Sequence, residues 1–316
     1  MNEPRVPSPA AIVTTGLTKR YGTVAALSDL HLTVPTGLIY GFLGPNGAGK
    51  TTTIRLLMGF VRPSSGRAHV FGHDTWQDGV AARRDLGYLV DAEALYPDLT
   101  GQALLEYAAD LSDGPPRLRQ TLLDALELDR AALDRRLGSY SRGMRQKLAL
   151  TAAIQHDPAL LILDEPTDGL DPLIQRAFEE MLRHLRSHGR TIFMSSHDLS
   201  EVERTCDRVA VVRDGRLIAE ETIAGLQLLH RRTAHVTFRE ALPPGLEDVP
   251  GVSLVGRRDR RVTLALDPDL NPLLRFLAGC EVDDLQLAPP SLEDIFLGFY
   301  GDEPNDRVAG ETTTRR

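Results

Sequence analysis

Apolar and polar residues follow two different periods along this chain. Four segments are too continuously apolar to keep one face in water, which is typical of strands buried in a parallel sheet: 36–44, 86–90, 159–165 and 191–196. Stretches with helical periodicity lie between and beside them, at 49–59, 100–112, 116–128, 142–156 and 172–188. Buried strands that alternate with helices predict an α/β fold with a parallel core.

The pattern changes near Leu229. Short alternating segments follow, and we expect strands at 234–240, 252–256 and 261–266, an amphipathic stretch at 271–279 and a last helix at 291–300. This succession predicts a small α+β accessory domain over 229–300, after a larger domain over 10–228. The proline-rich segment 1–9 and the polar segment 301–316 are predicted to be disordered.

Composition narrows the class of protein. The 316 residues, 42% of them hydrophobic, are enough for two cored domains, and the formal net charge of −8 argues against a general nucleic-acid binder. Cys206 and Cys280 lack metal-ligand or redox spacing, which is typical of a reducing compartment. The apolar runs are far shorter than the roughly 18 to 20 residues that a membrane span requires.

The sequence GPNGAGKT, at 44–51, has the chemistry of a phosphate cradle. It fits G-x-x-x-x-G-K-[ST], and it follows a predicted strand and opens a predicted helix, as this motif requires. We expect Lys50 to pair with the β and γ oxygens of a nucleotide and the Thr51 hydroxyl to bind magnesium. The predicted nucleotide contacts from this loop are Gly44, Pro45, Asn46, Gly47, Ala48, Gly49, Lys50, Thr51 and Thr52.

Two carboxylates end the strand LLILDEP. The carboxyl ends of strands are where parallel sheets bind ligands, so Asp164 is predicted to hold magnesium through water. Glu165 is predicted to accept a proton from the attacking water. Adjacent acids after a strand are often only a solvated turn, and it is the phosphate loop that favours the catalytic interpretation.

A second anion site is predicted at YSRGM, 140–144. Ser141 suits the N-cap of a helix, and Gly143 leaves the free N–H groups of the first turn open to an anion. A protein with a complete phosphate loop needs a reason for this second site.

These motifs, in this order, resemble the nucleotide-binding subunit of an ABC transporter over about residues 12–225. The segment YSRGM resembles the family's signature, with Arg142 and Met144 where the commonest form has Gly and Gln. The resemblance implies that Tyr21 stacks on adenine and that His197, in SSHD, contacts the γ-phosphate. It further implies a P-loop NTPase fold of the ABC ATPase type, with a helical subdomain that carries the signature.

The resemblance also explains the second anion site. In this family two nucleotide domains pair head to tail, which implies that Ser141 and Gly143 bind the ATP held by the partner's phosphate loop. Implied cofactors are ATP and magnesium. Implied partners are a second subunit, as a homodimer, and a separate membrane permease at the cytoplasmic face of the membrane. The end of the chain, PSLEDIFLGFY, resembles subunits that serve exporters, including drug and antibiotic exporters.

One position departs from the family. Asp91, in GYLVDAEALYPDLTG, stands where the family has a glutamine that ligates magnesium and reports to the permease. A carboxylate can also ligate magnesium, with added charge and shorter reach. The following loop, 94–100, is predicted to face the permease, the alternative being an ordinary packed loop.

Two other classes of function compete with transport. ABC ATPases that act on nucleic acid or ribosomes carry long coiled coils or two fused cassettes, neither of which this sequence has. A small-molecule kinase with a phosphate loop would have no need of Ser141, Gly143 and His197. The cargo is not readable from this chain, because the transport pathway lies in the permease.

Overall fold

A computed structural model describes residues 10–112, 115–229, 232–267 and 269–288. The chain divides into two compact units, one up to Ile223 and one from Ala224. The domain boundary predicted from composition lies nearby, between residues 228 and 229. The predicted disordered ends, 1–9 and 301–316, and the predicted last helix at 291–300 lie outside the described residues.

The strands are β1 (Ala10–Tyr21), β2 (Val24–Pro35), β3 (Ile39–Leu43), β4 (Ser65–Val70), β5 (His73–Asp74), β6 (Leu86–Tyr88), β7 (Leu160–Asp164), β8 (Thr191–Ser196), β9 (Arg208–Arg213), β10 (Arg216–Thr222), β11 (Arg232–Phe238), β12 (Val252–Arg258), β13 (Arg261–Leu266) and β14 (Val282–Ala288). The helices are α1 (Lys50–Leu57), α2 (Gly79–Arg83), α3 (Gly101–Asp110), α4 (Arg119–Ala125), α5 (Arg130–Leu133), α6 (Arg142–Ile154), α7 (Pro172–Ser187), α8 (Leu199–Thr205), α9 (Ile223–Leu229) and α10 (Asn271–Leu277). Short 3-10 turns lie at Ala92–Ala94, Leu137–Ser139 and Leu246–Asp248.

The first unit is built on a six-stranded sheet with the order β10-β9-β3-β8-β7-β6. The five strands from β9 to β6 run parallel, and β10 is antiparallel to β9. Every residue of β3 and β8 is buried, as their apolar sequences predict. The predicted α/β arrangement with a parallel core is therefore confirmed.

The register of this sheet brings three chain segments to one edge. Leu43 pairs with Ser196 and Asp164 pairs with Ser195, so β3, β8 and β7 end side by side. The chain leaves these three strands into the phosphate loop, the His197 turn and the Glu165 turn. Residues more than a hundred positions apart thus meet where a parallel sheet binds its ligands.

An antiparallel sheet, β2-β1-β4-β5, completes the core of the first unit. Its inward side chains, among them Ile12, Leu27 and Leu30, join Phe42 of β3 and Ile54 of α1 in one buried cluster. The β2 strand therefore passes beside the phosphate loop.

Helices α3 to α6 form a separate helical group. Their leucines pack with the ring of Tyr140 in a second apolar cluster, which includes Leu105, Leu123 and Leu148. The Tyr140 hydroxyl donates to the carbonyl of Ala132, so the residue just before Ser141 is anchored within the group. The predicted helical subdomain that carries the signature is present.

The second unit has an antiparallel sheet with the order β12-β13-β11-β14. Val236, Phe238 and Leu264 of the sheet pack against Leu273 and Leu277 of α10 in its own buried core. The α+β character expected of the C-terminal region is observed in these described residues.

Candidate functional site

The phosphate loop has a backbone that only glycine permits at two positions. A Cβ atom at Gly44 would lie 2.4 Å from the carbonyl oxygen of Val212, and one at Gly49 would lie 2.6 Å from that of Ala26. Gly49 also has a φ of 103°, in the region that L side chains avoid. The motif glycines are therefore required by close packing of the loop on β2 and β9.

The loop encloses a cavity of about 160 Å³ at the start of α1, where backbone N–H groups lack intrahelical partners. Its lining includes most of the loop residues predicted to contact nucleotide, namely Pro45, Asn46, Gly47, Gly49, Lys50, Thr51 and Thr52, together with Ala26 and Glu165. Gly44 and Ala48 do not line it. Ala48 is buried, its N–H donates to the Pro45 carbonyl and its carbonyl accepts from the Gly215 N–H. It therefore stabilises the loop without lining the cavity.

Lys50 lies inside this cavity with only 5% of its side chain exposed. Its Nζ donates to the carbonyl oxygens of Gly44 (2.7 Å) and Pro45 (3.3 Å). The same ammonium lies 3.2 Å from Oε1 of Glu165. The one lysine of the loop is thus already directed at an anionic oxygen.

Glu165 connects the cradle to the neighbouring turn. Its Oε2 lies 3.0 Å from Nδ1 of His197, while its Oε1 faces Lys50. The backbone of Glu165 has a φ of 45°, a conformation that is uncommon for a residue with a side chain. This kink turns the carboxylate away from the direction of β7 and into the cavity.

Ser195 orients both acids, and the sequence interpretation did not assign it a role. Its Oγ donates to Oδ1 of Asp164 and accepts from the backbone N–H of Glu165 at 3.0 Å. The contact follows from register, since Ser195 of β8 pairs with Asp164 of β7. The feature that could have identified Ser195 is its position opposite Asp164 on the neighbouring strand.

Asp168 is a second residue that the sequence interpretation missed. Carboxylate oxygens of Asp168 and Glu165 and a ring nitrogen of His197 all lie within 4.8 Å of one another. Asp168 follows Glu165 within the segment DEPTDGLDP, so its proximity could have been inferred from the short turn alone.

The predicted magnesium ligands share a second cavity of about 300 Å³. Thr51, Asp91 and Asp164 all line it. Hydroxyl and carboxylate oxygens are the donors that magnesium prefers, so this set fits the ion. Asp91 also accepts from the N–H of Glu93 at 2.9 Å, which caps the turn after β6.

The predicted signature residues Ser141 and Gly143 line neither of these two cavities. Ser141 caps α6, its Oγ accepting from the N–H of Met144 at 3.2 Å. A Cβ atom at Gly143 would lie 3.0 Å from the carbonyl oxygen of Gly169. Neither residue lines the phosphate-loop cavity, so their own chain does not bring them to the phosphates that this loop would hold.

Tyr21 ends β1 at the turn that leads into β2, and it is 46% exposed. The ammonium of Lys19 lies 4.9 Å from its ring centroid, a cation–π contact. Tyr21 does not line the cradle, although Ala26, further along the same hairpin, does. A large aromatic surface therefore stands exposed on the hairpin that also contributes Ala26 to the cradle.

A surface groove of about 280 Å³ adjoins the second cavity, with which it shares Tyr88 and Val90. Its lining is mostly apolar and includes Leu95, Tyr96, Leu104, Tyr107 and Leu111. Tyr96 and Leu111 are about seven-tenths exposed. Among the described residues, no helix combines the length and the apolar character needed to cross a bilayer.

Comparison with known proteins was consistent across sequence and structure. The family profile described as "ABC transporter" matches residues 27–168. The chain is 37% identical to the daunorubicin resistance ATP-binding protein DrrA3 of Streptomyces coeruleorubidus, over 93% of this chain and 96% of that protein. It is 35% identical to a fluoroquinolones export ATP-binding protein of Mycobacterium tuberculosis, over 90% of this chain and 92% of that protein.

The fold is likewise shared with solved structures. An ATP-binding subunit of an ABC transporter superposes with a TM-score of 0.64 at 29% identity, covering 69% of this chain and 92% of that one.

Proposed function

Because this chain belongs to the family of ABC transporter ATP-binding subunits, we propose that it hydrolyses ATP at a head-to-tail dimer interface to drive export through a separate membrane permease. The observation that carries this proposal is the Glu165 carboxylate, with one oxygen on Lys50 and the other on His197.

Lys50 is the residue that we assign to the phosphates. A nucleotide in the cradle would bring phosphate oxygens to the ammonium group of Lys50. These oxygens are stronger acceptors than the two loop carbonyls that the ammonium group now contacts. On moving to them, Lys50 would leave Oε1 of Glu165. The carboxylate would then be free of its cationic partner and able to act as a base.

Glu165 is proposed to accept the proton of the attacking water, and His197 to hold the carboxylate in place through Oε2 and to contact the γ-phosphate. Ser195 supports both acids by its contacts with Asp164 and the backbone of Glu165. Magnesium would be held by Thr51, Asp91 and, through water, Asp164, and it would neutralise phosphate charge when bound.

Ser141 and Gly143 are proposed to complete the site of a second copy of this chain. They stand at the N-terminus of a 13-residue helix, where an anion is stabilised by free N–H groups and the helix dipole. Because their own cradle is lined by other residues, a partner chain is the source of phosphate that we infer for them. Tyr21 is proposed to stack on adenine with its exposed ring.

The apolar groove is proposed to receive the permease. Leu95 and Tyr96, from the loop predicted to face it, line the groove together with Tyr107 and Leu111 of the helical group. Exposed aromatic and aliphatic side chains of this size mark interaction surfaces. We therefore assign the subunit to the cytoplasmic face of the membrane, through the permease.

Export is the direction that the relatives support, since one is named for daunorubicin resistance and another for fluoroquinolones export. We propose a drug or antibiotic as the class of compound and the permease as the component that selects it. An ABC ATPase that acts on nucleic acid is the competing function, and the net charge of −8 disfavours it.

The test is purification of the chain together with the membrane protein that binds it, followed by ATPase assays in liposomes. The proposal predicts vanadate-sensitive ATP hydrolysis that the permease and its cargo stimulate. Stimulation by RNA, DNA or ribosomes in place of the permease would overturn it.

A further inference from the structure

Arg142 lies against the loop that follows Asp164 and Glu165. A Cβ atom built on Gly169 would lie 3.3 Å from both Cγ and Nε of Arg142, so the side chain runs directly over this glycine. Gly169 has a φ of 77°. A residue with a side chain at 169 would therefore be strained and would also displace Arg142.

The guanidinium of Arg142 faces carboxylates from two different segments. Its Nε lies 3.9 Å from Oε1 of Glu93, in the turn that Asp91 caps, and its Nη2 lies 3.8 Å from Oδ2 of Asp168. Both distances exceed a hydrogen bond, so the attraction is coulombic. Arg142 is 63% exposed, so solvent weakens both pairs in the isolated chain.

Two further contacts join the start of α6 to the same loop. The Nε2 of Gln146 donates to the carbonyl of Pro166 at 2.7 Å, in a buried hydrogen bond. Gly143 packs closely on the carbonyl of Gly169. The first turn of α6 and the loop 166–169 should therefore move as one body, and Arg142 extends this contact to Glu93.

We propose that Arg142 is a positioning residue that couples the two ATP sites of the dimer. This inference rests on the proposed head-to-tail arrangement, in which Glu165 and Asp168 serve the ATP of their own chain and Ser141 and Gly143 serve that of the partner. Arg142 links Ser141 and Gly143 to the segment that carries Glu165 and Asp168. Closure of the dimer excludes water from the ion pairs of Arg142 and strengthens them. Closure around one ATP therefore affects the position of the acids that serve the other ATP.

The experiment compares Arg142→Gln with wild type in the full chain, by ATPase rate against ATP concentration at low and high ionic strength. Wild type should show a Hill coefficient above 1 that falls at high ionic strength, because salt screens the pairs. Arg142→Gln should show a coefficient near 1 at both, with kcat lower by roughly 3- to 10-fold, at most about 1.4 kcal/mol of barrier. The affinity for ATP should stay within about twofold, since the cradle is untouched.

Matched variants separate positioning from a general loss of structure. Arg142→Lys should restore much of the cooperativity, because it keeps the charge. Glu93→Gln should reproduce part of the defect, and its effect should not add to that of Arg142→Gln, since the two side chains share one interaction. Arg176→Gln, on the exposed face of α7, should match wild type.

Failure of this inference can be told from failure of the proposed function. If mixed Ser141→Arg and Lys50→Ala chains regain activity while Arg142→Gln keeps the wild-type Hill coefficient and salt response, the coupling role of Arg142 is wrong and the in-trans site stands. If wild type itself shows a Hill coefficient of 1 at low ionic strength, the coupling role is also wrong. If mixing regains nothing in confirmed heterodimers, the in-trans arrangement fails, and the coupling role fails with it.

Discussion

Nδ1 of His197 lies 3.0 Å from Oε2 of Glu165. The two residues follow the ends of neighbouring strands, whose paired positions Asp164 and Ser195 are 31 residues apart in sequence. The distance is that of a hydrogen bond, so the imidazole restricts the rotation of the carboxylate. A base must be held within reach of the water that it deprotonates. In the proposed mechanism, His197 therefore acts on hydrolysis partly through the position of Glu165.

Glu165→Gln should retain ATP and lose turnover. The amide keeps the size of the side chain but cannot accept the proton, so kcat should fall by roughly 10²- to 10⁴-fold, the usual contribution of a general base. ATP affinity, measured by nucleotide titration, should remain, and gel filtration with ATP should show a dimer. Rapid turnover by this variant would assign the base to another residue.

Lys50→Ala should lose tight ATP binding. The variant removes the one ammonium that lines the cradle, and with it the charge-assisted contacts to the β and γ oxygens. Titration with a fluorescent ATP analogue measures the loss. Lys147→Ala, in the body of α6, is the control and should bind as wild type does. Equal affinity in Lys50→Ala and wild type would show that the loop holds a different ligand.

Asp91→Gln should keep ATPase activity within about tenfold of wild type, because an amide oxygen also ligates magnesium and tenfold is about 1.4 kcal/mol of barrier. Asp91→Ala should lose more, since it removes both the proposed metal ligand and the cap on the Glu93 N–H. In Asp91→Ala, the stimulation of ATPase activity by the permease should decrease most of all. Kinetics across a magnesium series in the reconstituted complex give the answer, and identical curves for Asp91→Ala and wild type would exclude a role in metal binding.

Glu201→Gln should stabilise the fold at neutral pH. Burial raises the pKa of the Glu201 carboxyl above its usual value, against a hydrogen bond from Ser196 that lowers it. An acid whose pKa is higher in the folded state adds stability below its unfolded pKa, and this is lost as the pH rises through the folded value. The glutamine keeps an acceptor for Ser196 and does not ionise.

The stability difference between Glu201→Gln and wild type should therefore widen as the pH rises from acid to neutral. Urea unfolding at a series of pH values measures it, with Glu180→Gln, on the exposed face of α7, as the control. A difference that stays constant over this range would show that Glu201 does not ionise differently in the folded state.

Sequence alone predicted the elements whose patterns are strong and local. The apolar runs at β3, β7 and β8 gave buried strands, and the motif residues beside them gave the cradle and the acid pair. Strand β4, SGRAHV, and strand β14, VDDLQLA, were not predicted, because neither alternates cleanly between apolar and polar residues. Their partners in the sheets stabilise them.

Contacts between distant segments were the part that sequence could not supply. The bonds from Ser195 to Asp164 and Glu165 depend on the register of two strands, and the position of Arg142 between Glu93 and Asp168 depends on how α6 packs on the loop 166–169. Neither arrangement leaves a local pattern in the chain. Arg142 was visible as a departure from the signature motif, while its partners Glu93 and Asp168 were not.

The central claim is that each ATP is hydrolysed between two copies of this chain, and mixing two inactive variants tests it most directly. On this claim, Ser141→Arg places bulk and charge where the partner's γ-phosphate would dock, while Lys50→Ala disables the variant's own cradle. A heterodimer of the two retains one composite site with neither lesion, so part of the ATPase activity should return. No recovery in heterodimers confirmed by affinity tags would contradict the account.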